Sequence, residues 1–110
     1  MSFRLGSLEE LVLLAVGSLG TNSYAVAVQQ RIEQASSSAP TMGAIYTSLE
    51  RLEKKGYLQS ELGEVTPQPG GRRKRFYSLT GSGSAALVDS RSTRDRLWEG
   101  LKLDKVRRSP

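Results

Sequence analysis

The sequence predicts a mainly α-helical domain with one small β-hairpin, an α+β fold, and three features indicate it. Apolar residues recur at helical spacing in three successive stretches within residues 7–58. The period then changes to two in residues 58–62 and 75–79, which flank the breaker-rich segment 66–71 (TPQPGG). A fourth helical stretch follows Thr80. At 110 residues, the chain has the length of one small domain.

The first two helices are predicted from caps and apolar spacing. The first occupies residues 7–18, with Ser7 and Glu10 as a capping box. Its apolar positions are numerous enough to suggest burial on more than one side: Leu8, Leu11, Val12, Leu13, Leu14, Ala15, Val16 and Leu19. The second helix begins near cap candidates at 21–23 and ends in the small, polar segment 35–39. Its expected buried stripe is Tyr24, Ala27, Val28 and Ile32.

The third helix is predicted as a complete unit within residues 40–58. Thr41 can cap its start, and Gly56 can adopt the left-handed conformation that ends a helix. At 100° per residue, one arc is apolar, with Tyr46 at its edge: Met42, Ile45, Leu49 and Leu52. The opposite arc is small, then basic: Ala44, Thr47, Ser48, Arg51, Lys54 and Lys55. This arc is either a solvated polar face or a surface that approaches a nucleic-acid groove.

Basic residues dominate the hairpin and the overall charge. Four of them follow the hairpin tip: Arg72, Arg73, Lys74 and Arg75. Such a run is often only a solvated turn, but beside a basic helix it favours phosphate binding. We expect contacts from Arg72 and Arg73, with Lys74 or Arg75 on a phosphate. The formal net charge of +5 also favours an anionic partner.

The last helix is predicted to begin at its cap, Thr80, and to carry only a narrow apolar stripe. After the polar residues 89–96, the stripe resumes with Leu97, Trp98 and Leu101. Packing against a partner would stabilise such a helix. The basic tail, residues 102–110, is expected to be frayed.

Several classes of function are excluded by composition. There is no cysteine and no histidine, so disulfides, Cys/His metal sites and mechanisms needing either side chain are excluded. No phosphate loop or paired-carboxylate site suggests an enzyme, and no cofactor is predicted. The most apolar run, residues 11–19, is too short to cross a membrane. We therefore expect a cytoplasmic protein without membrane association.

Three helices, a basic hairpin and a final helix describe a winged helix-turn-helix, and its residues resemble the PadR-like transcriptional regulators. The resemblance lies in residues 43–46 (GAIY) and 49–58 (LERLEKKGYL), and in residues 70–80 (GGRRKRFYSLT) followed by Gly83. It extends in order over about residues 5–88. The pair of motifs is more specific than either motif alone.

The resemblance implies a homodimeric, sequence-specific regulator of transcription, typically a repressor released by a small effector. Its third helix would enter the major groove of double-stranded DNA, and its wing would lie on the flanking backbone or minor groove. Residues 1–80 would form the DNA-binding domain, and residues 81–110 the dimerisation helix and basic tail. The predicted DNA contacts are Thr41, Gly43, Ala44, Tyr46, Thr47, Ser48, Arg51, Arg72, Arg73, Lys74 and Arg75, and the predicted dimer contacts are Leu97, Trp98 and Leu101.

Some roles stay open from sequence alone. The Tyr46 ring is expected to fill the core while its hydroxyl contacts phosphate. Gly43 allows close approach either to DNA or to a neighbouring helix. Trp98 packs in the dimer, or two copies flank a small aromatic effector. The rival to a DNA-binding regulator is a winged-helix module that binds protein or RNA without a specific operator.

Overall fold

Four α-helices and one antiparallel hairpin make up the part of the chain that the computed structural model describes, residues 5–64 and 73–101. In chain order the elements are α1 (Ser7–Leu19), a 3-10 turn (Gly20–Asn22), α2 (Ala25–Ser36), α3 (Met42–Lys54), β1 (Leu58–Leu62), β2 (Arg75–Leu79) and α4 (Gly81–Glu99). The predicted fold class is therefore confirmed. The hairpin tip with Arg72, and the tail from residue 102 onwards, lie outside the described residues.

The core lies where α1, α2 and α3 meet beneath the hairpin. Its fully buried large side chains come from all four of these elements: Val12, Leu13, Val16, Val28, Ile45, Leu49, Leu52 and Leu58. Leu11 and Leu14 are 42% and 50% exposed. Burial of α1 on more than one side is therefore incomplete within a single copy of the chain. No helix among the described residues is long and apolar enough to cross a membrane.

The start of α1 differs from its prediction. Its N-cap is Gly6, whose backbone N–H donates to the Glu9 carboxylate over 2.8 Å, so the expected Ser7–Glu10 box is wrong. Glu10 instead faces α4, where its carboxylate accepts a hydrogen bond from the Ser90 hydroxyl. Arg94 Nη2 also lies 3.0 Å from Glu10 Oε1. These polar contacts tie α4 to α1.

The segment between α1 and α2 runs along the hairpin. Ser23 is fully buried, and its carbonyl accepts the Tyr77 N–H of β2 at 2.9 Å. Tyr24 is the N-cap of α2 and makes no side-chain cap bond. It therefore precedes the buried stripe to which it was assigned, and its half-buried ring is available to pack on the hairpin.

The third helix has the predicted cap and stop. Thr41 Oγ1 accepts the Ala44 N–H at 3.1 Å. Gly56 has a φ of +81°, and the Tyr57 N–H donates to the Leu52 carbonyl at 2.9 Å. This pattern satisfies a carbonyl of the last turn and sends the chain directly into β1.

The fourth helix begins against the end of α3. Thr80 caps it as predicted, accepting the Gly83 N–H at 3.0 Å, and the Thr80 hydroxyl donates to the Gly56 carbonyl at 2.6 Å. The backbones meet so closely here that a Cβ on Gly83 would lie 2.1 Å from the Tyr57 carbonyl oxygen. Glycine at this position is thus a packing requirement.

Candidate nucleic-acid interface

The outer face of α3 is exposed along its length. The apolar arc is buried as predicted, with Ile45, Leu49 and Leu52 fully inaccessible. The exposed outer positions are Thr41, Gly43, Thr47, Arg51 and Lys54, with Ala44 half-buried among them. The face therefore offers small groups near the start of the helix and cations near its end, as expected from the sequence.

Two predicted contacts on α3 are placed differently from expectation. Ser48 is only 6% exposed, on the flank of α3 that faces the start of α1. Ser48 therefore does not belong to the exposed outer face, and a DNA contact there stays a prediction. Tyr46 is 56% exposed, so its ring does not fill the core and only its surface role is left.

Gly43 has space around it within the protein. It is exposed, and a Cβ built there would come no closer than 4.0 Å to a neighbouring group, the Thr41 hydroxyl. Close packing of helices therefore does not explain the glycine, and that alternative is wrong. What the missing side chain does provide is a flat outer surface near the start of α3.

A cleft of about 450 Å³ separates the start of α1 from the outer face of α3. It is lined on the α1 side by Gly6, Ser7, Leu8 and Glu9, and on the α3 side by Gly43, Ala44, Thr47, Ser48 and Arg51. Four predicted contact residues besides Ser48 thus border one continuous depression. The α1 residues are part of this surface that the sequence patterns did not indicate.

An ion pair holds α1 against α3 beside this cleft. Lys55 Nζ lies 2.9 Å from Glu9 Oε2, and the Glu9 side chain is only 13% exposed. Partial burial raises the pKa of Glu9. The hydrogen bond from the Gly6 N–H and the positive charges of Lys55 and Arg51 together lower the pKa by more than burial raises it. The pKa of Glu9 is therefore below its ordinary value of 4.5.

Glu9 is expected to stabilise the fold at neutral pH and to lose this effect in acid. Because folding lowers its pKa, the contribution is complete above the unfolded value and disappears as the pH falls through the folded one. Glu9→Gln should lower the melting temperature at about pH 7, and the gap to wild type should close towards about pH 3. Glu50→Gln is the control, since Glu50 pairs with Lys54 at the exposed surface. A gap that stays constant with pH would contradict the prediction.

One face of the hairpin is turned towards α3. Leu62 pairs with Arg75 at the open end of the described ladder. Arg75 Nη1 donates to Ser60 Oγ at 3.1 Å, and Ser60 Oγ donates to Glu53 Oε2 of α3 at 2.6 Å. The pKa of Tyr77, on the same face, is raised. Burial is the larger cause, and the negative charge of Glu53 is the next. Arg75 is thus connected to Glu53 of α3 through hydrogen bonds of the Ser60 hydroxyl.

The other face of the hairpin is turned towards α2. The Phe76 ring meets the Tyr24 ring edge-on, with centroids 5.9 Å apart and planes at 78°. Lys74 Nζ lies 4.1 Å from the centroid of the Tyr24 ring. Arg73 is exposed two residues before β2 begins. A phosphate contact by Lys74 or Arg75 stays a prediction, but each now has a partner within the protein.

Exposed apolar side chains are concentrated on α4 and on one flank of α1. The three predicted dimer contacts have high exposures: 72% for Leu97, 60% for Trp98 and 44% for Leu101. Val88, 66% exposed, lies earlier on α4, and Leu11 and Leu14 lie on α1. The surplus of leucines in α1 was the only sequence signal for this second group.

Comparisons with known proteins are consistent with this geometry. A family model described as the transcriptional regulator PadR-like family matches residues 12–89. The fold resembles a PadR-like transcription factor from Bacteroides fragilis, with 26% identity, a TM-score of 0.73 and 84% of each chain covered. It also resembles smu.1704 from Streptococcus mutans UA159, with 28% identity and a TM-score of 0.65 over 93% of this chain and 87% of that one. A PadR family regulator from Clostridium difficile R20291 matches at 22% identity and a TM-score of 0.70, over 86% and 93%. A search of curated proteins finds no match.

Proposed function

Because the chain belongs to the PadR-like family of transcriptional regulators, we propose that it is a sequence-specific, homodimeric repressor. Membership of this family makes it a regulator of transcription and not an enzyme. The observation that carries the more specific proposal is the exposed face of α3, which is flat at Gly43 and basic at Arg51. Repression would follow from occlusion of a promoter in the cytoplasm, with an effector or partner shifting the spacing of the dimer.

In the proposed complex, α3 enters the major groove of double-stranded DNA. The small residues near its start, Gly43, Ala44 and Thr47, permit close approach to base edges. Thr41, Tyr46 and Arg51 contact the phosphate backbone and hold the register. The wing, formed by β1, β2 and the tip between them, reaches the flanking backbone or minor groove through Arg73 and, beyond the described residues, Arg72.

A second copy of the chain is proposed to cover the end of α4. Leu97 and Trp98 are large, adjacent in sequence and mostly exposed, and Leu101, just beyond the end of the helix, is 44% exposed. Residues 81–110 would form the dimerisation part and residues 1–80 the DNA-binding part. Two copies of α3 would then lie about 34 Å apart and read half-sites one helical turn apart. The small aromatic effector between two Trp98 rings stays a prediction.

Gly43→Ala should separate DNA binding from stability. The added methyl has room in the protein and alanine favours the helix, so the free energy of unfolding should stay equal or rise by up to about 1 kcal/mol. The same methyl would hold α3 away from the base edges, which should weaken binding to a specific site about ten-fold. Thermal unfolding and gel shift measure the two effects. Unchanged affinity would contradict the proposed position of Gly43 in the groove.

Selection of genomic fragments with the purified protein tests the proposed function directly. The expected result is a palindrome with two half-sites, followed by a gel shift whose affinity falls with added salt. Recovery of no shared site, with weak and sequence-independent retention, would contradict a specific repressor. That outcome is the one expected of an interaction module that binds protein or RNA.

A further inference from the structure

We propose that Lys74 and Arg75 are positioning residues that set the angle of the wing, and that Arg73 makes the phosphate contact from the described part of the wing. This inference rests on the proposed DNA binding. It assigns different roles to three consecutive cations that the sequence pattern treats alike.

Lys74 fixes one face of the wing to α2. Its ammonium lies 4.1 Å from the centroid of the Tyr24 ring, a distance at which the charge is attracted by the ring. Tyr24 is the N-cap of α2. The edge-on contact between the Tyr24 and Phe76 rings is a second contact on the same face of the wing. The Gly63 N–H donates to the Lys74 carbonyl at 2.7 Å, so the backbone at Lys74 is held as well.

Arg75 fixes the opposite face to α3. Its Nη1 donates to Ser60 Oγ at 3.1 Å, and the Ser60 hydroxyl donates a hydrogen bond to the Glu53 carboxylate at 2.6 Å. Glu53 lies in the penultimate position of α3, whose outer face is proposed to enter the groove. These two hydrogen bonds therefore fix the direction of the wing relative to α3, the helix that is proposed to bind the same DNA.

Lys74 contacts Tyr24 on the α2 side of the hairpin and Arg75 contacts Ser60 on the α3 side, so the two cations lie on opposite sides of the wing. A phosphate that drew the Lys74 ammonium off the Tyr24 ring, or Arg75 Nη1 away from Ser60, would also loosen the wing. Arg73 is exposed and makes no ion pair or ring contact within residues 5–64 and 73–101. It can therefore approach DNA without releasing the wing from α2 or α3.

The salt dependence of DNA affinity separates a phosphate contact from a positioning role, because only a phosphate contact releases counterions on binding. The slope of log K against log salt is negative, and Arg73→Gln should reduce its magnitude by about 0.9. Lys74→Gln and Arg75→Gln should weaken binding about three-fold with little change of slope. Slopes that fall equally in all three variants would overturn the inference.

Variants that remove the partners and keep every charge provide the second test. Tyr24→Leu and Ser60→Ala should weaken binding about as much as Lys74→Gln and Arg75→Gln, about three-fold. Tyr24→Phe is the matched control, because it keeps the ring face and should retain wild-type affinity. Full affinity in Tyr24→Leu and Ser60→Ala, with melting temperatures near wild type, would overturn the inference.

A spectroscopic measurement shows the Lys74 contact without DNA. The Lys74 methylene protons next to the ammonium should be shifted upfield by the Tyr24 ring in wild type and in Tyr24→Phe, but not in Tyr24→Leu. If wild type binds no duplex DNA, the proposed function fails and the inference fails with it, even where this shift is seen. If wild type binds DNA and the shift is absent, only the inference fails.

Discussion

Gly83→Ala is expected to lower the free energy of unfolding by about 3 kcal/mol, a large fraction of the stability of a small domain. The added Cβ would lie 2.1 Å from the Tyr57 carbonyl oxygen and 3.0 Å from its carbonyl carbon. The obstacle is backbone, so no side-chain rotation relieves the clash. The same carbonyl accepts the Thr80 N–H at 3.1 Å, so displacing it would also loosen the start of α4.

Gly81→Ala is the matched control for this effect. Gly81 opens the same helix two residues earlier, and a Cβ there would meet no atom within 4 Å. The variant should be as stable as wild type or more stable by up to about 1 kcal/mol. Urea unfolding followed by circular dichroism measures both variants. Similar midpoints for the two alanine variants would show that Gly83 does not pack closely against the Tyr57 backbone.

The third helix was predictable because its determinants are local. Thr41 needs only the N–H three residues later, and Gly56 needs only the preceding turn. The 100° rule then divides the helix into a buried and an exposed arc without knowledge of its neighbours. The same rule fails for Ser48, which is buried on the flank that faces the start of α1, about 40 residues earlier in the chain.

Positions that depend on distant partners were predicted less well. Glu10 was assigned to a cap of its own helix, but Ser90 and Arg94 of α4 bind its carboxylate. Lys74 and Arg75 were assigned to phosphate, and nothing in a run of basic residues shows that their nearest partners lie on α2 and α3. Sequence patterns identified the chemistry of these side chains, and the packing of separate elements decided which group each one meets.

Removing the apolar end of α4 is expected to lower the affinity for a two-half-site operator about 100-fold, the largest effect on DNA binding that we expect. The variant is Leu97→Ala combined with Trp98→Ala. Both side chains are mostly exposed in one copy of the chain, so their loss should leave the fold intact. It would remove the apolar surface proposed to hold two copies together. Each half-site would then have to be bound independently, without the gain from a linked second site.

Sedimentation and titration of whole and half operators distinguish this mechanism from damage to the DNA-binding surface. The double variant should sediment as a monomer and bind an isolated half-site as wild type does. Val26→Ala is the control, because Val26 is an exposed apolar residue on α2, 42% exposed, and its loss should change neither property. A double variant that still dimerises would contradict the proposed interface at Leu97 and Trp98. The exposed leucines of α1 would then be the surface to test, since burial of α1 is incomplete in one copy.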